Sequence, residues 1–344
     1  MTEASIAAPK ALGKTRTAPP RPTALFSFIL KSRGSCGIFP NLVRVVSLLP
    51  SSTEIVVALG LGGELVGRSH TCDYPTEIVE PLPVVTKPRF ANGSARELTG
   101  RERAIQNDGA PLYSIDENAL RVLSPHVILT QAPCRTGALS YEEVKTAAAR
   151  LPGPARVVSL EPRRWDDVTS DVVRLAEVLE ARSRGLRLVE ELSARIEAVQ
   201  EAVAEAPCPR VLCVEWMDPL IEGGHWMPEL IEWGGGAPLF ALPGEPSPIV
   251  DWDDVLDADP EVIIIAPSGY RIEETLRDID ALRGRPGWQA LQAVREGCVF
   301  AIDGNAYVNR PGPRLADTLE IVAALVHPDL LPAPRPDRYV RLRS

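Results

Sequence analysis

A polar loop at residues 69–75 holds side chains of the kinds that bind metals or perform nucleophilic chemistry. His70, Cys72 and Asp73 could together ligate a metal ion, and the imidazole and thiol could instead form a nucleophile–base pair. A simpler interpretation is a turn that contacts a ligand through His70 and Tyr74. We take this simpler interpretation as the leading one and keep metal binding and covalent catalysis as alternatives.

A second cluster, EWMDPLIEGGHWMPE at residues 215–229, combines two tryptophans with a glycine-rich loop. The large flat rings of Trp216 and Trp226 suit stacking on a planar ligand, although Trp216 would fit core packing as well. His225 could be an axial ligand to a bound metal complex or a hydrogen-bond donor, and we favour the donor. This cluster predicts a ligand contact in the second half of the chain.

Other loops that follow predicted strands supply further candidates. Tyr307 and Arg310 lie at the expected mouth of a cleft, where they could hold an amide-rich or anionic ligand. A solvated Arg310 is the alternative. The remaining predicted ligand contacts are Pro50, Ser51, Gln131, Cys134 and Tyr270.

Several catalytic and cofactor motifs are absent from the sequence. It contains neither GxxxxGK[ST] nor GxGxxG, so nucleotide binding lacks its usual signature. HExxH, GxSxG and CxxC are also missing, and an enzyme interpretation would rest on scattered residues alone. We therefore predict no nucleotide, no protein-ligated metal and no catalytic residues.

These loops must be positioned by alternating strands and helices. The β-rich run Arg44–Ser51 predicts a buried strand, and Ser51 and Glu54 have the spacing of a capping box at the start of a helix. The following predicted elements, in order, are helix Asp116–Leu123, strand His126–Thr130, helix Tyr141–Arg150 and strand Arg156–Leu160. Such alternation indicates a mostly parallel sheet with helices on its faces.

The second half of the chain repeats the first in outline. Arg210–Glu215 mirrors Arg44–Leu49, and DVLDADPEVIIIA mirrors ALRVLSPHVILT. Between the halves, an apolar repeat at three and four residues predicts a helix over Leu186–Ala204. We predict an α/β fold of two doubly wound lobes with mostly parallel central sheets, joined by one long interlobe helix. The predicted boundaries are 44–181 for the first lobe, 182–206 for the helix and 207–328 for the second lobe.

Composition narrows the function further. The chain has 344 residues, is 45% hydrophobic and carries a net charge of −9. Residues 1–43 carry +5 and the remainder −14, and an acidic body argues against nucleic-acid binding. No apolar run reaches the length of a transmembrane helix. Residues 1–43 and the Pro- and Arg-rich tail 329–344 are predicted to be disordered.

Several motifs resemble one known family. RVVSLLPSSTEIVVALG, DYP, VVSLEP, VLDADPEVII and RPGPRL are similar to segments of the substrate-binding proteins of vitamin B12 ABC importers. These belong to the periplasmic-binding-protein-like superfamily of iron-complex and B12 binders. SHTCDYP together with EW…GHWMPE resembles a cobalamin-binding branch whose members lack an obvious signal peptide.

The resemblance implies a two-lobed, non-catalytic binder that holds cobalamin or a related corrinoid between its lobes. Tyr74 matches the tyrosine of the family's DYP loop, and Tyr307 and Arg310 lie where the family carries aromatic and arginine contacts. The importer proteins present one glutamate on each lobe to a permease. Here these positions fall on Asn118, beside Glu117, and on Asp253, so permease docking through Glu117 and Asp253 is a weaker expectation.

We therefore expect a monomer that binds a small-molecule corrinoid, with an ABC permease as a further partner. The alternatives are a metal- or thiol-dependent enzyme, or a metal-handling protein, on the same scaffold, and a binder of haem or an iron–siderophore. The sequence lacks a clear export signal, which slightly favours a cytoplasmic location. Service to an importer would instead require an extracytoplasmic location.

Overall fold

Two sheets and one long helix organise the chain in a computed structural model that describes residues 43–88, 113–131 and 141–342. The elements of the first lobe are β1 (Val45–Ser47), α1 (Pro50–Ala58), β2 (Leu65–Arg68), α2 (Thr76–Val79), β3 (Thr86–Pro88), β4 (Tyr113–Ile115), α3 (Glu117–Leu123), β5 (Val127–Thr130), α4 (Tyr141–Ala149), β6 (Arg156–Ser159) and α5 (Trp165–Val178).

The long helix α6 (Arg182–Val203) leads into the second lobe. The elements of that lobe are β7 (Arg210–Met217), β8 (Leu220–Glu222), α7 (Met227–Trp233), β9 (Ala237–Pro238), α8 (Trp252–Ala258), β10 (Val262–Ile265), α9 (Ile272–Asp278), α10 (Asp280–Arg283), α11 (Gln292–Arg295), β11 (Val299–Ile302), α12 (Leu315–Val326) and β12 (Tyr339–Arg341).

The described part of the first lobe contains a parallel sheet with strand order β2-β1-β5-β6. All four residues of β5 are buried, as expected for a central strand covered on both faces. Parallel strands end at the same edge of a sheet. The loops after β1, β2, β5 and β6 therefore share one side of this lobe, where ligands bind in open α/β sheets.

The sheet of the second lobe has strand order β12-β11-β10-β7-β8 among the described residues, and β9 also pairs with β7. Strands β7, β10 and β11 are parallel, whereas β8 and β12 run antiparallel at the edges. Tyr270 follows β10, and Tyr307 and Arg310 follow β11, whereas His225 and Trp226 follow the edge strand β8. The predicted fold of parallel-sheet lobes joined by a long helix is confirmed.

Helix α6 packs against both lobes. Its apolar stripe, Leu192, Ile196, Val199 and Val203, is buried, and its Arg195 binds the carboxylates of Asp317 and Glu320 on α12 at 2.5 and 2.8 Å. At about 1.5 Å per residue the helix is about 33 Å long. None of the described helices combines the length and hydropathy that a membrane crossing requires.

The start of α6 differs from the prediction. The apolar repeat placed the start of the helix after Gly185, but the helix begins at Arg182, the first residue of the predicted segment 182–206, and includes that glycine. A Cβ on Gly185 would lie 2.5 Å from the Cβ of Ala176 on α5. The glycine therefore permits close helix packing rather than ending a turn, which the apolar periodicity alone did not reveal.

Two other local predictions are wrong. The predicted capping box at Ser51 does not form, because α1 begins at Pro50 and Leu49 occupies the N-cap without a side-chain hydrogen bond. Proline suits the first helical turn, because backbone N–H groups there have no acceptor within the helix and the lack of one costs no hydrogen bond. Disorder over 329–344 is also wrong for the described part of the tail, where β12 pairs with β11 through Ala301 and Val340.

Residues Val43–Ser344 form one compact unit. The lobe boundaries 44–181, 182–206 and 207–328 stay predictions. The predicted disorder of residues 1–43 falls almost entirely outside the described residues.

Candidate functional site

The loop after β2 is held by hydrogen bonds and ring packing. The Nδ1 atom of His70 lies 2.7 Å from Oγ1 of Thr86, and its ring packs edge-on against Tyr113 at a centroid distance of 4.6 Å. Burial, together with the charge of Arg68, lowers the pKa of His70. His70 is therefore a neutral imidazole at pH 7, half-buried against the hairpin of β3 and β4.

Cys72 does not have the environment of a nucleophile. Its side chain is fully buried, and its sulfur lies 3.2 Å from Oγ1 of Thr53. Burial raises the pKa of the Cys72 thiol to about 11, so the reactive thiolate is scarce at neutral pH. The described residues contain no group of three or more His, Cys, Asp or Glu side chains placed to hold a metal. The geometry of this loop therefore argues against the thiol-enzyme and metal-site alternatives.

Asp73 instead joins the two lobes. Its carboxylate lies 2.6 Å from Nη1 of Arg310 and 3.2 Å from Nδ2 of Asn305, and Arg271 lies 3.6 Å away. Burial would raise the pKa of Asp73, but the hydrogen bond and charge of Arg310, helped by Asn305 and Arg271, hold it below its usual value. The DYP loop of the first lobe thus touches the loop after β11 of the second lobe.

Glu54 completes this contact. It lies on α1 and is 4% exposed. Its carboxylate accepts hydrogen bonds from Nη1 of Arg310 at 3.0 Å and from Nε and Nη2 of Arg314 at 2.9 and 2.6 Å. We call Glu54, Asp73, Arg310 and Arg314 the Glu54 cluster. Two carboxylates of the first lobe face two guanidinium groups of the second lobe within it.

The predicted position of Arg310 at the cleft mouth is wrong. Its side chain is 3% exposed, because the two carboxylates hold it inside the Glu54 cluster. Its Nε and Nη2 atoms are buried without a hydrogen-bond partner among the described residues. A direct ligand contact by Arg310 would therefore need the cluster to open.

The two predicted stacking tyrosines both contact Arg314. The guanidinium carbon of Arg314 lies 4.2 Å from the ring centroid of Tyr74 and 5.7 Å from that of Tyr307. Arg338, from the C-terminal tail, lies 5.4 Å from the Tyr307 centroid. Cations at these distances are attracted by aromatic rings. Tyr74 is 46% exposed and Tyr307 is half-buried, so both retain accessible ring surface.

Trp226 and His225 form a second aromatic pair beside this loop. Their rings stack with centroids 5.7 Å apart, and Nε1 of Trp226 donates to the carbonyl of Val308 at 2.8 Å. His225 has a φ of +52°, and its Nδ1 is buried with no hydrogen-bond partner among the described residues. Burial and the charge of Arg163 lower the pKa of His225, which leaves the ring neutral at pH 7.

Trp216 and Tyr270 pack in the core of the second lobe. They are 8% and 4% exposed, and they pack edge-to-face against each other, with centroids 5.5 Å apart, in the second-lobe core. The hydroxyl of Tyr270 donates to Asp278 at 3.0 Å. Both side chains thus lie in the core, as the alternative for Trp216 expected, and the ligand contacts of Trp216 and Tyr270 stay predictions.

The other predicted contacts lie near the first-lobe strand ends. Pro50 is half-buried, and Ser51 is buried beneath the loop that follows β11. A Cβ on Gly312 of that loop would lie 3.4 Å from the carbonyl oxygen of Ser51. Gln131 is half-buried directly after β5. Cys134 lies outside the described residues.

A second contact between the lobes involves Arg164, next to α5. Its Nη2 donates to the carbonyl of Pro243 at 2.6 Å, and its Nη1 lies 3.6 Å from Glu229 on α7. Glu229 also accepts from the backbone N–H of Trp165 at 3.0 Å. The lobes are therefore joined at two places besides α6.

The two best-formed cavities of the described chain lie away from these contacts. One has a volume of about 320 Å³ and lies where α1 ends near the start of α6. The other, of about 420 Å³, is bounded by residues of β4, α3 and α4.

Glu117 and Asp253 occupy comparable places in the two lobes. Each lies in the first turn of a short helix, α3 or α8. Both helices end in a left-handed residue, Ser124 or Asp259, that precedes a proline and a buried strand. Asp253 is exposed, and Glu117 pairs with Arg150 at 2.8 Å.

The most important residues that sequence reasoning missed are Glu54, Arg314 and Arg338. Glu54 was assigned only a capping role. A signal in the sequence was available: the first family motif contains a glutamate among apolar helix residues, and the last motif, RPGPRL, contains two arginines that could pair with it. Nothing in the sequence marks Arg338, because its tail was expected to be disordered.

Comparison with known proteins agrees with this fold. Residues 138–306 match the family model described as periplasmic binding protein. The vitamin B12-binding protein of Vibrio cholerae is 25% identical over 282 residues, which cover 81% of this chain and 87% of the relative.

Two solved structures show the same architecture. The periplasmic vitamin B12 binding protein of Vibrio cholerae superposes with a TM-score of 0.58 at 24% identity, covering 82% of this chain and 96% of that one. A periplasmic heme binding protein from Pseudomonas aeruginosa gives a TM-score of 0.65 at 21% identity, covering 88% and 99%.

The chain is therefore similar to periplasmic binding proteins and has their two-lobed fold. The predicted resemblance to the periplasmic-binding-protein-like superfamily of iron-complex and B12 binders is confirmed. The prediction that the chain is not an enzyme is also confirmed, since these relatives are binding proteins.

Proposed function

We propose that the protein binds cobalamin or a related corrinoid between its two lobes and delivers it to an ABC-type uptake system. The observation that carries the proposal is the placement of Trp226. Its half-buried ring is fixed to Val308 at the strand ends of the second lobe, beside the loop that reaches the first-lobe DYP segment through Asn305 and Asp73. A fixed indole at such a junction suits stacking on a flat macrocycle.

The surrounding side chains suit the periphery of a corrinoid, which carries several amide groups. Tyr74, Tyr307 and Gln131 offer hydroxyl and amide groups for hydrogen bonding, and the tyrosine rings add apolar surface. The vitamin B12-binding relatives support this ligand.

An importer role requires a permease partner. We propose that the starts of α3 and α8, with Glu117 and Asp253, form the docking surfaces, because they recur at comparable places in both lobes. The protein would then act as a monomer outside the cytoplasm, as periplasmic binding proteins do, in place of the cytoplasmic location that the sequence slightly favoured.

Haem or another iron complex is the second candidate. The observation that favours it is His225, a neutral imidazole stacked on Trp226 with its buried Nδ1 free of partners among the described residues. A neutral imidazole is a common metal ligand. The chelated metal would belong to the ligand, in agreement with the expectation that the protein holds no metal of its own.

Competition separates the two candidates. Tryptophan fluorescence of the purified protein is titrated with cyanocobalamin and, separately, with haemin, and each ligand is then used to displace the other. We expect cyanocobalamin to bind with a Kd of about 1 μM or lower, equivalent to about −8 kcal/mol, and to resist displacement by equimolar haemin. Tight haemin binding that cyanocobalamin cannot displace would replace the corrinoid proposal with the second candidate.

A further inference from the structure

Glu54 is connected to ligand-facing loops of both lobes, although its own side chain is buried away from any cleft. It accepts hydrogen bonds from two arginines that begin and end the segment Arg310–Arg314. One of these, Arg310, also holds Asp73 of the DYP loop at 2.6 Å. A single carboxylate of α1 therefore restrains the relative placement of the two loops.

The restraint extends to the proposed stacking residues. Arg314 contacts the rings of Tyr74 and Tyr307. The hydroxyl of Thr318 on α12 lies within hydrogen-bonding distance of the Tyr307 and Arg314 carbonyls, which ties the start of that helix to the same loop. Val308, one residue beyond Tyr307, accepts the Trp226 indole N–H. A shift of the arginines would move each of these groups.

The energetics of burial make this contact different from a surface ion pair. Glu54 and Arg310 are each 3% exposed in their side chains, whereas Glu320, which pairs with Arg195 across α6 and α12, is 41% exposed. Removing one partner of a buried pair leaves an uncompensated charge, which is far more costly than losing an exposed pair. Without the Glu54 charge, Arg310 keeps Asp73, but Arg314 loses its carboxylate partner in the cluster.

We propose that Glu54 is a positioning residue that latches the two lobes together and thereby sets the rate at which a bound ligand is released. The release part of this inference rests on the proposed function, whereas the latch itself does not. Loss of the latch would make separation of the lobes easier, so the latch would control koff without touching the ligand.

The latch is tested without any ligand. Spin labels are attached at Val122→Cys on α3 and Asp254→Cys on α8, both exposed, in a chain with Cys36, Cys134, Cys208 and Cys298 replaced by serine. The label-to-label distance distribution is measured by pulsed electron paramagnetic resonance. We expect Glu54→Gln to broaden the distribution and lengthen its mean by several ångströms, and Glu320→Gln to leave it unchanged.

Each outcome decides the inference. An unchanged distance distribution in Glu54→Gln overturns the latch. Equal broadening in Glu320→Gln also overturns it, because an exposed ion pair between two helices would then have the same effect as the buried one. If Glu54→Gln does not fold, Asp73→Asn removes one carboxylate from the same cluster at a more exposed position. A smaller broadening is then expected, and no broadening overturns the latch.

The ligand arm follows koff by stopped-flow displacement of cyanocobalamin. We expect at least a tenfold higher koff in Glu54→Gln and less than a twofold change in Glu320→Gln. A broadened distribution with unchanged koff overturns control of release. If the wild-type protein binds no corrinoid but Glu54→Gln still changes the label-to-label distance, the proposed function is contradicted and the latch is supported.

Discussion

Glu54 and Arg310 are 256 residues apart in the chain, yet their side chains are joined by a 3.0 Å hydrogen bond and are both buried. One belongs to the first helix of the first lobe and the other to the loop after the last parallel strand of the second lobe. Their contact joins the loop after β11 to the first lobe.

Breaking this pair should destabilise the protein strongly. We expect Glu54→Gln to lower the free energy of unfolding by about 3 kcal/mol, because Arg314 keeps its charge without a carboxylate partner. Glu320→Gln, at a partly exposed pair, should cost less than about 1 kcal/mol. Urea unfolding of both variants measures these changes. Equal losses of unfolding free energy would show that the buried cluster stabilises the protein no more than the partly exposed pair.

Trp226 should contribute more to cyanocobalamin affinity than Trp252, a tryptophan that is also partly buried. Trp226→Ala is expected to weaken cyanocobalamin binding at least tenfold, about 1.4 kcal/mol, through loss of the stacking surface. Trp252→Ala is the matched control, since Trp252 is also partly buried and donates to a backbone carbonyl, that of Pro286, at 2.7 Å. Calorimetric titration of both variants gives the comparison, and similar affinities would remove Trp226 from the site.

Cys72 should be inert to thiol reagents. Its pKa of about 11 and its complete burial predict negligible alkylation by iodoacetamide at pH 7.5 in the folded protein. Cys208, which is exposed, should be modified within minutes under the same conditions. Peptide mass spectrometry measures both sites, and rapid modification of Cys72 would revive the thiol-enzyme alternative.

The contribution of two buried carboxyl groups to stability should decrease as the pH rises from about 4.5 to 6.5. Burial raises the pKa of Asp171 and of Glu222 to about 6, so the folded protein holds protons in this window that the unfolded chain has released. Proton binding to the folded state stabilises it at the lower pH, and that stabilisation is lost as the pH passes the folded-state pKa. The lowered pKa values of His70 and His225 act in the opposite sense within this window, and the lowered pKa of Asp73 does so below its usual value.

Asp171→Asn should flatten this dependence and raise the stability at pH 7 by on the order of 1 kcal/mol, since an ionised buried carboxylate is removed. Asp166→Asn, at an exposed position on the same helix α5, is the control and should leave the slope unchanged. The measurement is urea unfolding at a series of pH values. A wild-type slope in Asp171→Asn would show that its carboxyl does not titrate in this window.

Local patterns were sufficient to predict the lobes and the long helix. The buried strand Val127–Thr130 and the stripe Leu192, Ile196 and Val199 on α6 follow from apolar periodicity, which depends on near neighbours in sequence. Gly185 was misread because its role is to admit Ala176 of another helix, and close packing between helices leaves no local signature.

The candidate site was only partly predictable for the same reason. Trp226, His225, Tyr74 and Tyr307 were selected because aromatic side chains after predicted strands stand out by type. Whether such a side chain faces a cleft or the core depends on the path of the loop, and so the sequence alone did not place Trp216 and Tyr270 in the second-lobe core. The Glu54 cluster depends on charges from distant segments, and Arg338 on a tail strand that pairs only in the folded sheet.

Equilibrium dialysis against cyanocobalamin tests the central claim most directly, because the corrinoid carries its own visible absorption and needs no label. Wild-type protein at 20 μM should retain close to one corrinoid per chain at a free concentration about tenfold above a micromolar Kd. Equal cyanocobalamin concentrations on both sides of the membrane, at free concentrations up to 100 μM, would contradict the assignment of this protein as a corrinoid binder.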